Sequence, residues 1–359
     1  MKVTYYLNFA EDNRLSMNEY AQRIINHQKK KNEFIIEKFK PKLDSISERI
    51  YSPKWKMRYA RYISYKKQVT NINYHEVSHI CDHQYAHLYK NLNSKVKFIT
   101  VHDLIPLVFN KTRGNPLLLK FSLKQLKHFT KVFTVSNNTK KDIIKFTDCP
   151  ENKIEVISES IEEYFKKYDL DKKNICKKYK IPFNKKKILI SGNIFYKNIV
   201  TAYKVLENLI EIDKDIIFIH IGNSNSNMIV PNKIKKNVFN LPFIEREKLP
   251  SIYNIVDILF FPSIYEGFGL PLLEAMRCGA PIVCSNNSSI PEVVGEAALM
   301  SDCYDVFKFT KNITEILNNK VLRNKMSDKS LIRSKIFDQS KILKKINNIY
   351  IKEVYPQTA

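Results

Sequence analysis

No apolar run in the chain approaches the ~18 residues that a membrane span needs. The richest, Ile258-Leu-Phe-Phe261, is cut off by Pro262. The opening stretch Met1-Lys-Val-Thr-Tyr-Tyr-Leu7 is too short in apolar character for a secretory leader. These absences argue against secretion and membrane spanning, and for a cytoplasmic chain. Cysteine is sparse and unpatterned. The six residues at 81, 149, 176, 278, 284 and 303 form no C-x-x-C pair, which predicts buried, reduced thiols. Arginine is scarce as well: only 10 of the 60 basic residues are Arg. Phosphate and base-edge recognition favours the bidentate fork of Arg, so this composition argues against a nucleic-acid partner.

What is present is length, apolar content and lysine. A chain of 359 residues with 44% hydrophobic side chains has material for two or three packed domains. The net charge of +24 is uneven: residues 1–150 carry 28 basic and 12 acidic side chains, the remainder 32 and 24. Residues 23–67 hold 14 basic and 4 acidic side chains, with Tyr51, Trp55, Tyr59, Tyr62 and Tyr65 among them. Residues 111–145 hold 9 basic side chains and one acidic. A basic surface with interleaved aromatics suits an anionic membrane surface.

Short runs rich in Val, Ile and Phe predict strands at 2–7, 77–80, 96–101, 131–135 and 154–157, then at 187–191, 216–221, 258–261, 281–284 and 297–300. Helices are expected between them, at 18–38, 117–129 and 139–146 among others, with Ser136 capping the last. Alternating strands and helices mean an α/β protein with mostly parallel sheets. The charge-dense, strand-poor stretch 159–187 predicts a domain boundary. The expected division is 1–170, 171–336, and a C-terminal helix in 337–359 packing back on the first domain. Its apolar stripe is 342, 343, 346, 349, 350 and 354.

Residues 258–261 run into Glu266-Gly-Phe-Gly269, after which Leu270-Pro271 opens a helix. A glycine-rich turn at a helix start presents unpaired N–H groups and the positive end of the helix dipole, a suitable seat for a diphosphate. Glu266 precedes that turn and Glu274 follows one helical turn inside, each able to accept hydrogen bonds from sugar hydroxyls. Ser288-Ser-Ile-Pro-Glu292 comes after the next strand.

This stretch resembles retaining glycosyltransferase family 4, the GT-B enzymes that use nucleotide sugars and carry E-G-F-G-L-P-x-x-E-A-M followed by S-x-P-E. The likeness extends upstream through Leu241-Pro-Phe-Ile244 and Leu249-Pro-Ser-Ile-Tyr253. The resemblance implies two facing Rossmann-like domains, with a nucleotide diphospho-sugar held by the C-terminal one. It further implies transfer with retention, no obligatory metal and no other cofactor. By position, Glu266 would contact the transferred sugar. Phe268, Gly269 and Leu270 would offer amides to sugar and phosphate, and Glu274 would bind the donor ribose. The family's diphosphate loop, Gly-x-x-x-x-Arg-Lys-Asn, aligns with Gly192 to Asn198, so that Lys197 is the phosphate-binding lysine and Tyr196 replaces the usual Arg.

In the first half, a strand ends in His102-Asp103, and the resemblance places that histidine beside the donor sugar and acceptor. Family members carry a Gly-Gly loop after the first strand; Asn13-Arg-Leu-Ser16 stands there instead, with Ser16 as an expected helix cap. His75, His79, His83 and His87 recur every four residues, but strand, loop and helix readings follow one another across them, so no shared metal-binding face is expected. The expected activity is hexose transfer to a hydroxyl of a saccharide or lipid-linked acceptor, in cell-surface polysaccharide or glycolipid synthesis. A non-catalytic sugar-nucleotide binder and a basic nucleic-acid-binding protein are the alternatives.

Overall fold

The computed structural model describes residues 1–12, 14–31, 33–109, 116–222 and 230–358. Asn13 of the first loop, and Lys111 and Arg113 of the second basic stretch, lie outside them. The chain forms two compact units: Met1–Glu159 with Gln339–Ala359, and Ser160–Asp338. The sequence reading divides the chain at 170/171 and 336/337. Residues after 159 fall to the second unit because they pack there: Phe165 meets the Tyr253 ring, and Tyr168 N–H donates to Asn254 Oδ1 at 2.9 Å.

The first unit is a six-stranded parallel sheet of β1 (Lys2–Tyr6), β2 (Ile35–Phe39), β3 (His75–Ile80), β4 (Ser94–Val101), β5 (Lys131–Thr134) and β6 (Ile154–Val156). The strand order is β2-β1-β3-β4-β5-β6. Successive residues of a strand face opposite ways, so Tyr6 and Ile80 enter one core and Tyr5 and Val77 the other. Ala60, Tyr65 and Val69 cover the first face; Leu343, Ile346 and Tyr350 of the helix Gln339–Val354 cover the second.

The second unit is also all parallel: β7 (Lys186–Ser191), β8 (Ile216–Ile221), β9 (Val238–Leu241), β10 (Ile258–Phe261), β11 (Ile282–Ser285) and β12 (Ala298–Ser301), in the order β12-β11-β10-β7-β8-β9. Strands buried on both faces read as unbroken apolar runs, which is why β10 and β11 are entirely buried. Among the described residues, no helix is long and apolar enough to cross a membrane, and the six cysteines are buried and unpaired.

Three local expectations change. The helix expected over 18–38 is the helix Leu15–Lys31 followed by the edge strand β2. Ile35, Glu37 and Lys38 are exposed and only Ile36 and Phe39 are partly buried, so β2 lacks an unbroken apolar run. β9, also an edge, is short and broken by the exposed Asn240. Ser16 sits inside the first turn of its helix instead of capping it. By contrast, Ser136 does cap Asn137–Phe146, its Oγ accepting from Thr139 N–H at 3.1 Å.

Candidate active site

In the second unit the strand order changes direction between β7 and β10. Loops leaving two such strands at their C-terminal ends diverge and leave a crevice. Gly192 follows β7 and residues 262–269 follow β10, so the two motifs, some seventy residues apart in the chain, meet there. Their backbones are tied: Ile264 N–H donates to Tyr196 O at 2.7 Å, and Asn198 Nδ2 to Pro262 O at 3.1 Å.

Lys197 Nζ lies 2.7 Å from Glu266 Oε1, with 15% and 9% of the two side chains exposed. The ammonium also sits 4.8 Å above the centre of the Phe261 ring. Gly192, at φ +83°, makes room for this: a Cβ there would stand 2.9 Å from Lys197 Cγ. His220 Nε2 lies 2.9 Å from the Gly192 carbonyl oxygen, and burial pushes the His220 pKa down, so the neutral ring donates to that oxygen.

Glu266 is held by its backbone. Its N–H donates to Ser288 Oγ at 2.8 Å, and Ser289 Oγ donates to the carbonyls of Glu266 and Phe268, each at 3.0 Å. The serine pair that follows β11 therefore clamps the glycine-rich turn. Gly269, at φ +100°, precedes the helix Leu270–Arg277, with Pro271 in its first turn. The first N–H groups of that helix have no acceptor within it. Phe268 is buried edge-on against Phe337.

Glu274 is buried, and both its oxygens are engaged. Tyr253 Oη donates to Oε2 at 2.7 Å and Arg246 Nη1 to Oε1 at 2.7 Å, while Arg246 Nε bridges to Glu162 at 3.0 and 3.1 Å. A carboxylate has about four lone-pair positions, so these contacts leave capacity for a further donor. Burial, then the charge of Glu274, holds the Tyr253 hydroxyl pKa well above its ordinary value.

Sequence reasoning missed Arg246 and His220, and it quoted Ser289, the serine of the S-x-P-E motif, without a role. Arg246 carried a signal, being one of few arginines. So did His220, a polar residue closing the apolar run Ile216-Ile-Phe-Ile.

In the first unit, His102 follows β4 and is buried. Its Nδ1 lies 3.2 Å from Glu159 Oε1 and its Nε2 2.9 Å from the Cys81 carbonyl oxygen. Both ring nitrogens face acceptors, an arrangement suited to the doubly protonated ring. Burial works against that charge, but the hydrogen bond and charge of Glu159 outweigh it and the His102 pKa is raised. Glu159 in turn binds Arg23 at 2.7 Å. Both nitrogens are thus taken up inside the unit. Nearby, at the switch between β1 and β3, Asn8 Nδ2 and Arg14 Nη1 each donate to Asp82 Oδ2 at 2.8 Å.

The four spaced histidines do not converge: His75 meets Ser78 and the Asn73 carbonyl, His79 meets Tyr350 and Thr100, and His87 meets Ser122 and the Arg61 carbonyl, while His83 Nδ1 lies 3.7 Å from Asp82 Oδ1 with no hydrogen-bond partner among the described residues.

Residues 171–331 match the family described as glycosyl transferases group 1. The serotype-specific mannosyltransferase WbdA of Escherichia coli is 29% identical over 267 residues, covering 66% of this chain and 31% of that protein. The O-antigen chain mannosyltransferase B of Escherichia coli is 40% identical over 110 residues, 31% of this chain and 29% of that protein. The chain's match thus spans about a third of the length of these curated relatives. Among solved structures, sucrose-phosphate synthase from Thermosynechococcus elongatus shares the fold, with a TM-score of 0.77 at 14% identity over 98% of both chains. Residues 171–331 therefore belong to the group 1 glycosyltransferases, within a chain of GT-B architecture.

Proposed function

We propose that the chain is a retaining hexosyltransferase that moves a sugar, mannose foremost, from a nucleotide diphospho-sugar to a hydroxyl of a saccharide or lipid-linked acceptor. The observation that carries this reading is the Lys197–Glu266 pair, set at the strand switch beside a glycine-rich helix start. A leaving diphosphate gains most from a fixed cation and aligned N–H groups, because charge develops on it as the glycosidic bond breaks. Lys197 supplies the cation and residues 268–270 the amides. Glu266, a carboxylate 2.7 Å from that ammonium, is at hand for a hydroxyl of the transferred sugar. Glu274, steadied by Arg246 and Tyr253, receives the donor ribose.

Tyr196 adds no cation in place of the family's Arg; its carbonyl serves instead as an anchor for residue 264. Transfer on one face of the sugar asks for no protein nucleophile. The mannosyl choice is supported by the names of the two relatives, both mannosyltransferases.

The test is incubation of the purified chain with GDP-mannose, UDP-glucose and ADP-glucose and a panel of mannosides. Nucleoside diphosphate release and the anomeric configuration of any product are followed by NMR. Release with an α-linked product from an α-linked donor supports the reading. Donor binding without release from any of the three overturns it in favour of a non-catalytic binder, and an inverted product overturns retention.

A further inference from the structure

The transfer reaction makes no use of the outer surface of residues 45–70. The helix Pro53–Tyr59 runs on through Ala60–Ser64 to Tyr65–Thr70. Ala60, Ser64, Tyr65 and Val69 are its buried side, against the sheet. The opposite side carries Lys54, Trp55, Arg58, Ile63 and Lys67, and the preceding turn adds Ile46, Arg49 and Tyr51.

Four large apolar or aromatic side chains stand in water here: Tyr51 at 100% exposure, Trp55 at 60%, Ile46 at 50% and Ile63 at 47%. From 45 to 75 the chain has seven Lys or Arg residues and one acidic residue, Glu48. Arg61 is committed elsewhere, to Asp12, and Lys67 lies close enough to Asp44 to help lower its pKa. The Arg58 guanidinium lies 4.8 Å from the centre of the Trp55 ring, so cation and indole form one amphipathic unit.

Exposed apolar groups ringed by cations of one sign mark a surface awaiting a partner that is apolar inside and anionic outside. Indole and phenol rings settle at the headgroup level of a bilayer, and lysine stems cover apolar surface while their ammonium groups reach phosphate. We propose that the face formed by residues 45–67 docks the chain on an anionic phospholipid bilayer. Tyr51, Trp55 and Ile63 enter the headgroup region, and Lys54, Lys56, Arg58, Lys66 and Lys67 meet lipid phosphates. A nucleic acid is the poorer occupant, since Ile46 and Ile63 offer it nothing and lysines predominate over Arg forks. The inference is independent of the transfer reaction.

The sequence supplies its own probe, because Trp55 is the chain's only tryptophan. The full chain is mixed with vesicles of phosphatidylcholine alone, or of phosphatidylcholine with phosphatidylglycerol, at low and at moderate salt. Sedimentation and tryptophan emission are both read. The expected result is co-sedimentation and a blue-shifted emission with phosphatidylglycerol only, weakened by salt. Lys54→Ala with Lys56→Ala weakens partitioning about 25-fold, at roughly fivefold per charge. Lys344→Ala with Lys352→Ala, on the helix covering the other face of the sheet, leaves it unchanged.

No binding to phosphatidylglycerol at low salt overturns the proposal. Equal losses from both lysine pairs overturn it too, since they would mean that overall charge alone is at work. Co-sedimentation with unshifted emission shows another face docking. A DNA oligonucleotide that shifts the emission and displaces vesicles gives the surface to nucleic acid instead.

Discussion

Arg246 joins two carboxylates that belong to different segments, reaching Glu274 Oε1 with Nη1 at 2.7 Å and Glu162 with Nε at 3.0 Å. The guanidinium also lies 5.0 Å from the centre of the Phe165 ring. Planar, forked and always charged, it satisfies both acids at once in a way that an ammonium cannot. Removing one partner of a largely buried pair costs about 3–5 kcal/mol, because the remaining charge is stranded. Arg246→Met is expected to lower unfolding stability by that amount in urea titration, and Arg246→Lys to recover only part of it. A loss below about 1 kcal/mol in the Met variant would place the pair in solvent-screened territory.

Lys197→Ala tests the chemistry directly. The side chain approaches the carboxylate and a ring face without filling the core, so the fold should survive with an unaltered circular dichroism spectrum. Loss of a single group that stabilises developing charge is worth about 10²–10³ in kcat. Retention of wild-type turnover by this variant would remove Lys197 from the mechanism.

Gly192→Ala should separate position from charge. A side chain at φ +83° costs about 1–2 kcal/mol, and its Cβ would displace Lys197 from 2.9 Å. The expected outcome is a modest fall in Tm together with at least a tenfold fall in kcat/KM for donor. If Tm falls while turnover is unaffected, the glycine serves the backbone alone.

Two buried histidines of the first unit respond to pH in opposite senses. Burial, with the nearby charge of His102, pushes the His79 pKa down to about 3, so the folded chain holds it neutral. The unfolded chain takes up that proton below about pH 6.5, and His79 therefore destabilises the fold as pH falls through that value. The raised pKa of His102 does the reverse: its contribution is complete below about pH 6.5 and is lost as pH rises through the folded value. The Tm advantage of wild type over His102→Gln should accordingly shrink between about pH 6 and pH 9. An advantage that grows with pH would mean that the ring is neutral beside Glu159.

Most of the architecture was legible because both sheets are parallel and largely buried, so that ten of the twelve strands among the described residues are marked by Val, Ile and Phe. The two that are not, β2 and β9, are edge strands whose apolar residues are interrupted by Glu37 and Lys38 and by Asn240. The glycine-rich turn and its glutamates were legible because backbone geometry and anion binding restrict residue choice at 266–270. The partners of those residues were not. Arg246 and His220 each act across 28 residues of chain, and no local spacing records such a contact; Ser289 stands in the S-x-P-E motif, but its bond to the Glu266 carbonyl could not be read. His102 shows the same gap from the other side: its place after β4 could be read, but the acceptors that occupy both its nitrogens could not.

The helix Gln339–Val354 belongs to the first unit although the whole second unit is inserted before it. Its Tyr350 hydroxyl meets His79 Nδ1 at 2.5 Å, and its Asn347 Oδ1 accepts from Gln28 at 2.7 Å, both beneath the surface. During synthesis the first unit therefore waits, through the whole of the second, for the helix that covers the Tyr5 and Val77 face of its sheet. Domains that emerge complete fold as units. The first unit is not complete in this sense until residues 339–354 have been made, although its six strands are encoded before the second unit begins.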